Sequence, residues 1–114
     1  MTFPVNPVQD SDQNLIHRLA LVTGATGAIG KAIALEIALQ PGYSVVLLCR
    51  DGLRAGMAVS EVVKLSGNER VSHEIVDLSS KDSIQALAQR LQEPVHLLVN
   101  SEAVNALYEA CMAN

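Results

Sequence analysis

The sequence predicts an α/β fold, a three-layer open sheet of parallel strands with helices on both faces. Apolar runs that are too short to form useful helices alternate with longer segments in which apolar residues recur at helical spacing. A crossover of about a dozen residues or more, usually a helix, joins neighbouring parallel strands, and such connections are right-handed. The 114 residues have room for one domain, and we expect its sheet to be truncated after about four strands. We expect these strands in the order 3-2-1-4.

The first strand and the glycine loop that follows it form the most informative stretch. Residues 19–22 are apolar and are typical of a buried strand. The loop then carries three glycines, Gly24, Gly27 and Gly30. From Ala28 onward the isoleucines recur at helical spacing, at Ile29, Ile33 and Ile37. Glycines let the backbone approach a ligand closely, and a helix start offers unpaired N–H groups to a phosphate. The stretch therefore predicts a site for the phosphates of a nucleotide.

Two kinds of phosphate loop compete for this stretch. A mononucleotide loop needs a glycine, four residues, glycine-lysine and then a hydroxyl residue. Here Ala25 stands at the first glycine position and Ala32 at the hydroxyl position. A dinucleotide site remains, because a second strand follows the helix and Arg50 lies about twenty residues beyond the loop.

The second strand and the second helix follow in the expected order. The first helix should end near Gln40, because Pro41 cannot donate a backbone hydrogen bond. Tyr43–Cys49 is almost continuously apolar, as in a strand that is buried on both faces of a parallel sheet. Residues 53–65 carry apolar side chains at helical spacing, and Gly67 is a suitable C-terminal cap.

A third strand, a third helix and a fourth strand complete the pattern. Residues 70–76 form a strand that two polar residues interrupt, which suits the edge of a sheet. Ser79 or Ser80 can cap the next helix. Its apolar stripe consists of Ile84, Leu87, Ala88 and Leu91. Residues 95–100 form the fourth strand.

The carboxyl ends of these strands should meet at one crevice. Gly24, Arg50, Asp77 and Asn100 all fall there. An acid at the end of the second strand selects NAD, whereas an arginine nearby can pair with the 2′-phosphate of NADP. Arg50 stands at the end of the second strand, so NADP is favoured over NAD. Asp51 could neutralise Arg50 or bind a ribose itself.

Composition and charge narrow the classes of partner. The formal net charge of −4 argues against a nucleic acid, because there is no basic patch to neutralise phosphates. No apolar run is long enough to span a bilayer, and the N-terminus does not resemble a secretion signal, so we expect a cytoplasmic protein. Cys49 and Cys111 form no metal-ligand pattern with the histidines and are expected to be reduced thiols.

Four motifs resemble those of the short-chain dehydrogenase/reductase family. The glycine loop TGATGAIG at residues 23–30 is similar to the family's cofactor loop. The other three are VVLLCRD at residues 45–51, VDLSS at 76–80 and HLLVN at 96–100. The CRD and DLSS stretches resemble the retinol-dehydrogenase-like members. The resemblance implies a Rossmann-type fold and, in full-length relatives, hydride transfer between NADP(H) and a carbonyl or alcohol.

The resemblance also implies which residues bind the cofactor. Asp77 would accept a hydrogen bond from the adenine amino group, the Leu78 backbone would lie beside the ring, and Asn100 would border the ribose. Alternatively, Asp77 only caps the following turn, and Thr26 only bonds to the backbone of its own loop. The implied set is Gly24, Thr26, Gly27, Ala28, Ile29, Gly30, Arg50, Asp77, Leu78 and Asn100.

The catalytic pair of the family is missing from the sequence. Family members use a tyrosine with a lysine four positions later, because a tyrosine needs a neighbouring cation to transfer a proton near neutral pH. Tyr43 is followed at that spacing by Leu47, and Tyr108 by Met112. We therefore expect a chain that binds NADP(H) without turnover. The alternative is a non-catalytic protein that pairs with a full-length relative or another partner through an exposed sheet edge or a final helix. The exposed sheet edge could also allow self-association.

The chain is expected to have three parts. Residues 1–17 lack periodicity and should form a flexible arm, and residues 18–100 form the dinucleotide-binding half-domain. Residues 101–114 depart from the family pattern, since Ser101 and Glu102 stand where asparagine and alanine are expected. This last part has an apolar stripe, Val104, Leu107, Tyr108 and Cys111. It is either a short helix over the fourth strand or a tail produced by splicing or an inaccurate gene model.

Overall fold

The computed structural model describes residues 17–91 and 93–101. Strands and helices alternate: β1 (Arg18–Thr23), α1 (Ala28–Ala38), β2 (Tyr43–Cys49), α2 (Gly52–Ser66), β3 (Val71–Ile75), α3 (Lys81–Arg90) and β4 (Leu97–Asn100). All strand pairs are parallel, in the order β3-β2-β1-β4. The predicted fold class and strand order are confirmed. The predicted arm, apart from His17, and the final apolar stripe lie outside the described residues.

The central strand β1 sets the register of its neighbours. Thr23, at its carboxyl end, pairs with Leu48 of β2 on one side and with Asn100 of β4 on the other. On the far side of β2, Cys49 pairs with Ile75 of β3. The strands of the described region therefore all end at one edge of the sheet, which is where a ligand of a parallel α/β sheet binds.

The two faces of the sheet are covered by different helices, because successive side chains of a strand point to opposite faces. On the face covered by α1 and α2, the strands and helices contribute Ala20, Val22, Val45, Leu47, Ala34, Ala38, Ala55 and Ala58. On the α3 face, the buried residues are Leu19, Leu21, Val46, Leu48, Val76 and Leu87. The helix alanines let α1 and α2 approach the sheet closely, and complete burial of Leu47 alone stabilises the fold by about 2 kcal/mol.

An apolar groove of about 390 Å³ lies between α3 and β4. Its lining, which defines the β4–α3 groove, is Leu21, Thr23, Leu48, Leu78, Ile84, Leu87, Ala88, Leu91, Leu98 and Asn100. Of the stripe predicted on α3, Leu87 is buried, whereas Ile84 is 42% exposed. Leu98 of β4 is 63% exposed. The stripe is only partly covered, because among the described residues α3 is the sole helix on this face.

Some helix ends differ by one or two residues from their predicted positions. α1 ends at Ala38 rather than near Gln40. α2 begins at Gly52, because the side chain of Asp51 caps it. α3 is capped by Ser80, whose hydroxyl oxygen accepts a hydrogen bond from the Ser83 amide at 3.2 Å. These differences leave the predicted order of elements unchanged.

Candidate functional site

A crevice of about 210 Å³ opens at the carboxyl edge of the sheet. Its walls come from the loop after β1, the end of β2, the start of α2 and the segment after β3. The lining residues are Gly24, Thr26, Leu48, Cys49, Arg50, Asp51, Arg54, Val76 and Leu78. Among the predicted site residues, Gly24, Thr26, Arg50 and Leu78 line this crevice.

The glycine loop makes a tight turn into α1 beside the crevice. Gly24 has a φ of +63°, a left-handed conformation that favours glycine. Its carbonyl oxygen accepts a hydrogen bond from the Gly27 amide at 3.1 Å. Gly27 is the N-cap of α1 and has no side chain to cap the helix. The amides of Ala28, Ile29 and Gly30 thus form a first turn that no side-chain cap occupies, which suits an anion.

Gly30 is the point at which α1 touches the end of β1. A Cβ atom on Gly30 would lie 2.2 Å from the carbonyl oxygen of Gly24 and 2.6 Å from the hydroxyl oxygen of Ser101. No real Cβ atom approaches other atoms so closely. The third glycine of the loop is therefore required for the helix to pack against the strand, whatever ligand the loop binds.

Two guanidinium groups line the crevice, those of Arg50 and Arg54. The carboxylate of Asp51 lies between them in sequence, and its Oδ1 accepts hydrogen bonds from the Leu53 amide at 3.0 Å and the Arg54 amide at 3.4 Å. Asp51 is thus engaged as the cap of α2. Within residues 17–91 and 93–101, the ion pairs found do not include Arg50. Arg50 and Arg54 are thus the basic side chains in the lining of the crevice, and the Asp51 carboxylate lies in the same lining.

Lys31, a third basic residue near the loop, is directed elsewhere. Its ammonium group forms an ion pair with Glu61 of α2 at 2.8 Å. The pair is partly exposed and joins the outer surfaces of α1 and α2, so it adds little to stability. The Glu61 carboxylate offsets the charge of Lys31, which does not line the crevice. Arg50 and Arg54 are the basic residues that line it.

Asp77 lies in the turn after β3, next to Leu78. Its Oδ1 accepts hydrogen bonds from the Ser79 hydroxyl at 2.6 Å and the Ser79 amide at 3.0 Å. These bonds, with a smaller contribution from the positive charge of Arg50, hold the pKa of the Asp77 carboxyl below its ordinary value. Through Oδ1 the side chain therefore caps its own turn, which is one of the two roles considered for it.

Asn100 joins β4 to β1 and does not line the crevice. Its Oδ1 accepts a hydrogen bond from the Thr23 hydroxyl at 2.9 Å. Asn100 is instead part of the β4–α3 groove, on the other side of the β1 end. Among the predicted residues that are not in the lining, Gly27 to Gly30 follow the lining residue Thr26, and Asp77 lies between the lining residues Val76 and Leu78. Asn100 lines the β4–α3 groove instead.

The sequence reasoning gave little weight to three residues that the structure brings to the site. Arg54 lies four residues after Arg50, in the first turn of α2, and this short separation could have indicated a second cation at the crevice. Cys49, the last residue of β2, also lines the crevice. Ser101 is buried, and its hydroxyl donates to the carbonyl oxygen of Thr23.

The other types of site considered from the sequence are not found in the described part of the chain. Residues 17–91 and 93–101 contain no cluster of three side chains that could ligate a metal ion. None of their helices combines the length and apolar character needed to cross a bilayer. Tyr43 lies at the start of β2, the opposite end of the sheet from the crevice, and its ring is 5.9 Å from the Arg18 guanidinium. This tyrosine is too far from the crevice to transfer a proton there.

Comparison with known proteins gives consistent results. Residues 18–111 match the family model described as short chain dehydrogenase. The human protein "Dehydrogenase/reductase SDR family member 12" is 36% identical over 107 residues, which is 92% of this chain and 31% of the relative. Mouse "Retinol dehydrogenase 13" is 39% identical over 90 residues, 76% of this chain and 27% of the relative. The chain thus spans about a third of the length of the curated relatives it matches.

Solved structures share the fold as well. The structure titled "Pseudomonas aeruginosa RhlG/NADP active-site complex" aligns with a TM-score of 0.63 at 31% identity, covering 75% of this chain and 34% of that one. "Menthone neomenthol reductase from Mentha piperita" aligns with a TM-score of 0.66 at 26% identity, covering 85% of this chain and 39% of that one.

Proposed function

The chain belongs to the short-chain dehydrogenase family, whose members bind nicotinamide dinucleotides, and we propose that it binds NADP(H) at the crevice described above. In this proposal residues 18–100 are the dinucleotide-binding part of an oxidoreductase. The observation that carries the proposal is the pair of arginines at the crevice, whose neighbouring carboxylate is engaged in capping α2.

The extra phosphate of NADP(H) is the group that would distinguish it from NAD(H). A guanidinium group can donate two parallel hydrogen bonds to a phosphate. Arg50 follows the end of β2 and Arg54 lies in the first turn of α2, and both line the crevice. Asp51 Oδ1 accepts amide hydrogen bonds at the start of α2, so capping of the helix competes with the contact between this carboxylate and a ribose that would favour NAD(H). Both features support a preference for the phosphorylated cofactor.

The remaining contacts follow from the shape of the site. The diphosphate would lie against the first turn of α1, where the helix dipole and the amides of Ala28, Ile29 and Gly30 favour negative charge. The adenine ring would lie against Leu78, with Asp77 Oδ2 in reach of its amino group. Gly24 and Thr26 would form the floor beneath the adenosine half. Asn100 would act from behind the loop by holding Thr23.

Hydride transfer is proposed only for the full-length relatives. The nicotinamide group, when bound, supplies the hydride chemistry of this family. A tyrosine–lysine pair at the family spacing is absent from the printed sequence, and Tyr43 is at the wrong edge of the sheet. We therefore propose that this chain holds NADP(H) and does not itself transfer hydride to a carbonyl.

Titration with NADPH and NADH tests the proposal. Enhancement of NADPH fluorescence should report binding, and NADPH should bind more tightly than NADH. Arg50→Ala should weaken NADPH binding by roughly ten-fold and leave NADH binding nearly unchanged, because only the contact with the extra phosphate is lost. Arg70→Ala is the matched control, since Arg70 is exposed and lies at the opposite end of the sheet. Equal affinity of the unsubstituted chain for both cofactors would contradict the preference.

A second candidate function is favoured by the β4–α3 groove. Its apolar lining and the 63% exposure of Leu98 are features of a surface that binds another protein. We propose as the alternative that the chain associates with a second copy or a full-length relative through the β4–α3 groove. Light scattering over a range of concentrations should then show a rising mass, and Leu98→Glu should abolish it. A monomer at every concentration would reject this candidate.

A further inference from the structure

Ser101 is a buried polar residue that the proposed function does not yet use. Its side chain has a relative exposure of 0%, and its hydroxyl donates to the carbonyl oxygen of Thr23. The bond connects the residue after β4 to the last residue of β1. A buried hydroxyl without a partner would cost roughly 1–3 kcal/mol, so the structure depends on this bond being made.

The hydroxyl of Ser101 also touches the place where α1 meets β1. A Cβ atom on Gly30 would lie 2.6 Å from the Ser101 Oγ atom, and the Gly24 carbonyl borders the same point. Three chain segments therefore meet around one hydroxyl group: the end of β1, the first turn of α1 and the end of β4.

The orientation of the glycine loop depends on the peptide unit that Ser101 holds. The carbonyl of Thr23 belongs to the same planar peptide as the amide of Gly24, so fixing its oxygen also fixes the direction of that N–H group. Gly24 then turns the chain with its φ of +63°, and its own carbonyl accepts from the Gly27 amide. The bond from Ser101 acts on the first of these linked peptides.

We propose that Ser101 is a positioning residue for the loop that binds the diphosphate of the dinucleotide. This inference rests on the proposed function, because it assigns a role in binding NADP(H). Ser101 itself makes no contact with the ligand. Its hydroxyl holds the Thr23–Gly24 peptide so that the loop and the first turn of α1 keep the shape that the diphosphate requires.

A purely structural role for Ser101 makes a different prediction. The hydrogen bond between Thr23 and Asn100 already joins β1 to β4, so Ser101 could merely add a second link between these strands. Loss of a structural link would lower the stability of the whole sheet and affect every ligand in proportion. Loss of a positioning contact would affect only ligands that carry the diphosphate.

Two ligands separate these roles, NADPH and adenosine 2′-monophosphate. The second has the adenosine and the 2′-phosphate that would reach Arg50 and Arg54, but it lacks the diphosphate. In Ser101→Ala, the dissociation constant for NADPH should rise about ten-fold and that for adenosine 2′-monophosphate should change less than about two-fold. Ser44→Ala is the matched control, because Ser44 bonds to His17 at 2.8 Å at the opposite end of the sheet. It should leave both constants unchanged.

Calorimetric titration of the full chain gives both constants, and circular dichroism shows whether each variant is folded. Ser101→Cys is measured alongside, since its thiol fills the buried space and is a weaker donor than the hydroxyl. A selective loss of NADPH affinity in either folded variant supports the proposal. An unchanged ratio of the two constants overturns it, and so does failure of both variants to fold when Ser44→Ala folds. If the unsubstituted chain binds neither ligand, the proposed function fails instead.

Discussion

The hydroxyl of Thr23 donates to the side-chain oxygen of Asn100 at 2.9 Å, across two strands whose residues are 77 positions apart in the sequence. The two residues are also partners in the β1–β4 register. Because Thr23 begins the glycine loop, this bond connects β4 to the first residue of that loop. It shows that the loop is supported by the sheet as well as by its own glycines.

Removal of the Thr23 hydroxyl should destabilise the fold. Thr23 is only 4% exposed, so Thr23→Val keeps the shape of the side chain and leaves the Asn100 oxygen without this donor. We expect the free energy of unfolding to fall by about 1–2 kcal/mol, measured by urea denaturation. Thr23→Ser keeps the hydroxyl and should lose less. Equal losses in the two variants would show that the methyl group, and not the hydrogen bond, matters at this position.

Gly30 and Gly56 should respond in opposite directions to the same change. A Cβ on Gly30 would lie 2.2 Å from the Gly24 carbonyl oxygen, whereas a Cβ on Gly56, within α2, would have no atom within 4 Å. Gly30→Ala should therefore lower the free energy of unfolding by about 3 kcal/mol or more through overpacking. Gly56→Ala should raise it by about 0.5–1 kcal/mol, because alanine favours the helix.

Thermal and urea unfolding of both glycine variants measure this difference. A Gly30→Ala chain as stable as the unsubstituted one would mean that α1 can move away from β1. The close packing of α1 against the loop would then not be required for folding.

The Asp77 carboxyl should titrate at a lower pH than an ordinary aspartate. Hydrogen bonds from Ser79 lower its pKa in the folded state, so its contribution to stability is complete above the ordinary pKa and is lost as the pH falls through the lowered value. NMR titration of the carboxyl carbon measures the pKa directly. Ser79→Ala should raise this pKa toward the ordinary value, because it removes the hydroxyl donor at 2.6 Å. An unshifted pKa in the unsubstituted chain would contradict the observed hydrogen bonds.

The Asp51 side chain should stabilise the fold by capping α2, whereas its negative charge should weaken the binding of NADPH. Asp51→Asn keeps an acceptor for the amides of Leu53 and Arg54, so the stability of the fold should change little. It removes a negative charge beside the two arginines, and NADPH affinity should rise by roughly two- to five-fold at low salt. Asp51→Ala loses the cap and should cost about 1 kcal/mol. A fall in NADPH affinity with Asp51→Asn would indicate that the carboxylate contacts the cofactor.

Much of this architecture could be predicted from local sequence patterns. The apolar runs of β1 and β2, the glycine spacing and the helical stripes each carry their signal within about a dozen residues, which is why the fold class and strand order were predicted correctly. Arg50 was placed at the crevice for the same reason, since the end of a buried strand is a local feature.

What could not be predicted depends on contacts between distant segments. The hydrogen bond of Asn100 to Thr23 is such a contact, because only the β1–β4 register reveals that the two residues are partners. The role of Ser101 depends on the same register and on the close approach of Gly30. Asp51 was ambiguous because a carboxylate can cap a helix or bind a ligand equally well until the helix start is known.

The position of β1 between β2 and β4 also has a consequence for the order of folding. In chain order, β2 pairs with β1 and β3 pairs with β2, so each of these strands joins the strand that precedes it. β4 follows β3 in the chain but pairs with β1, so the connection from β3 must cross β2 and β1. Pairings between strands that are distant in the sequence form slowly. We therefore expect β4 to dock after the rate-limiting step. Weakening that docking, for example with Leu97→Ala, should speed unfolding far more than it slows refolding.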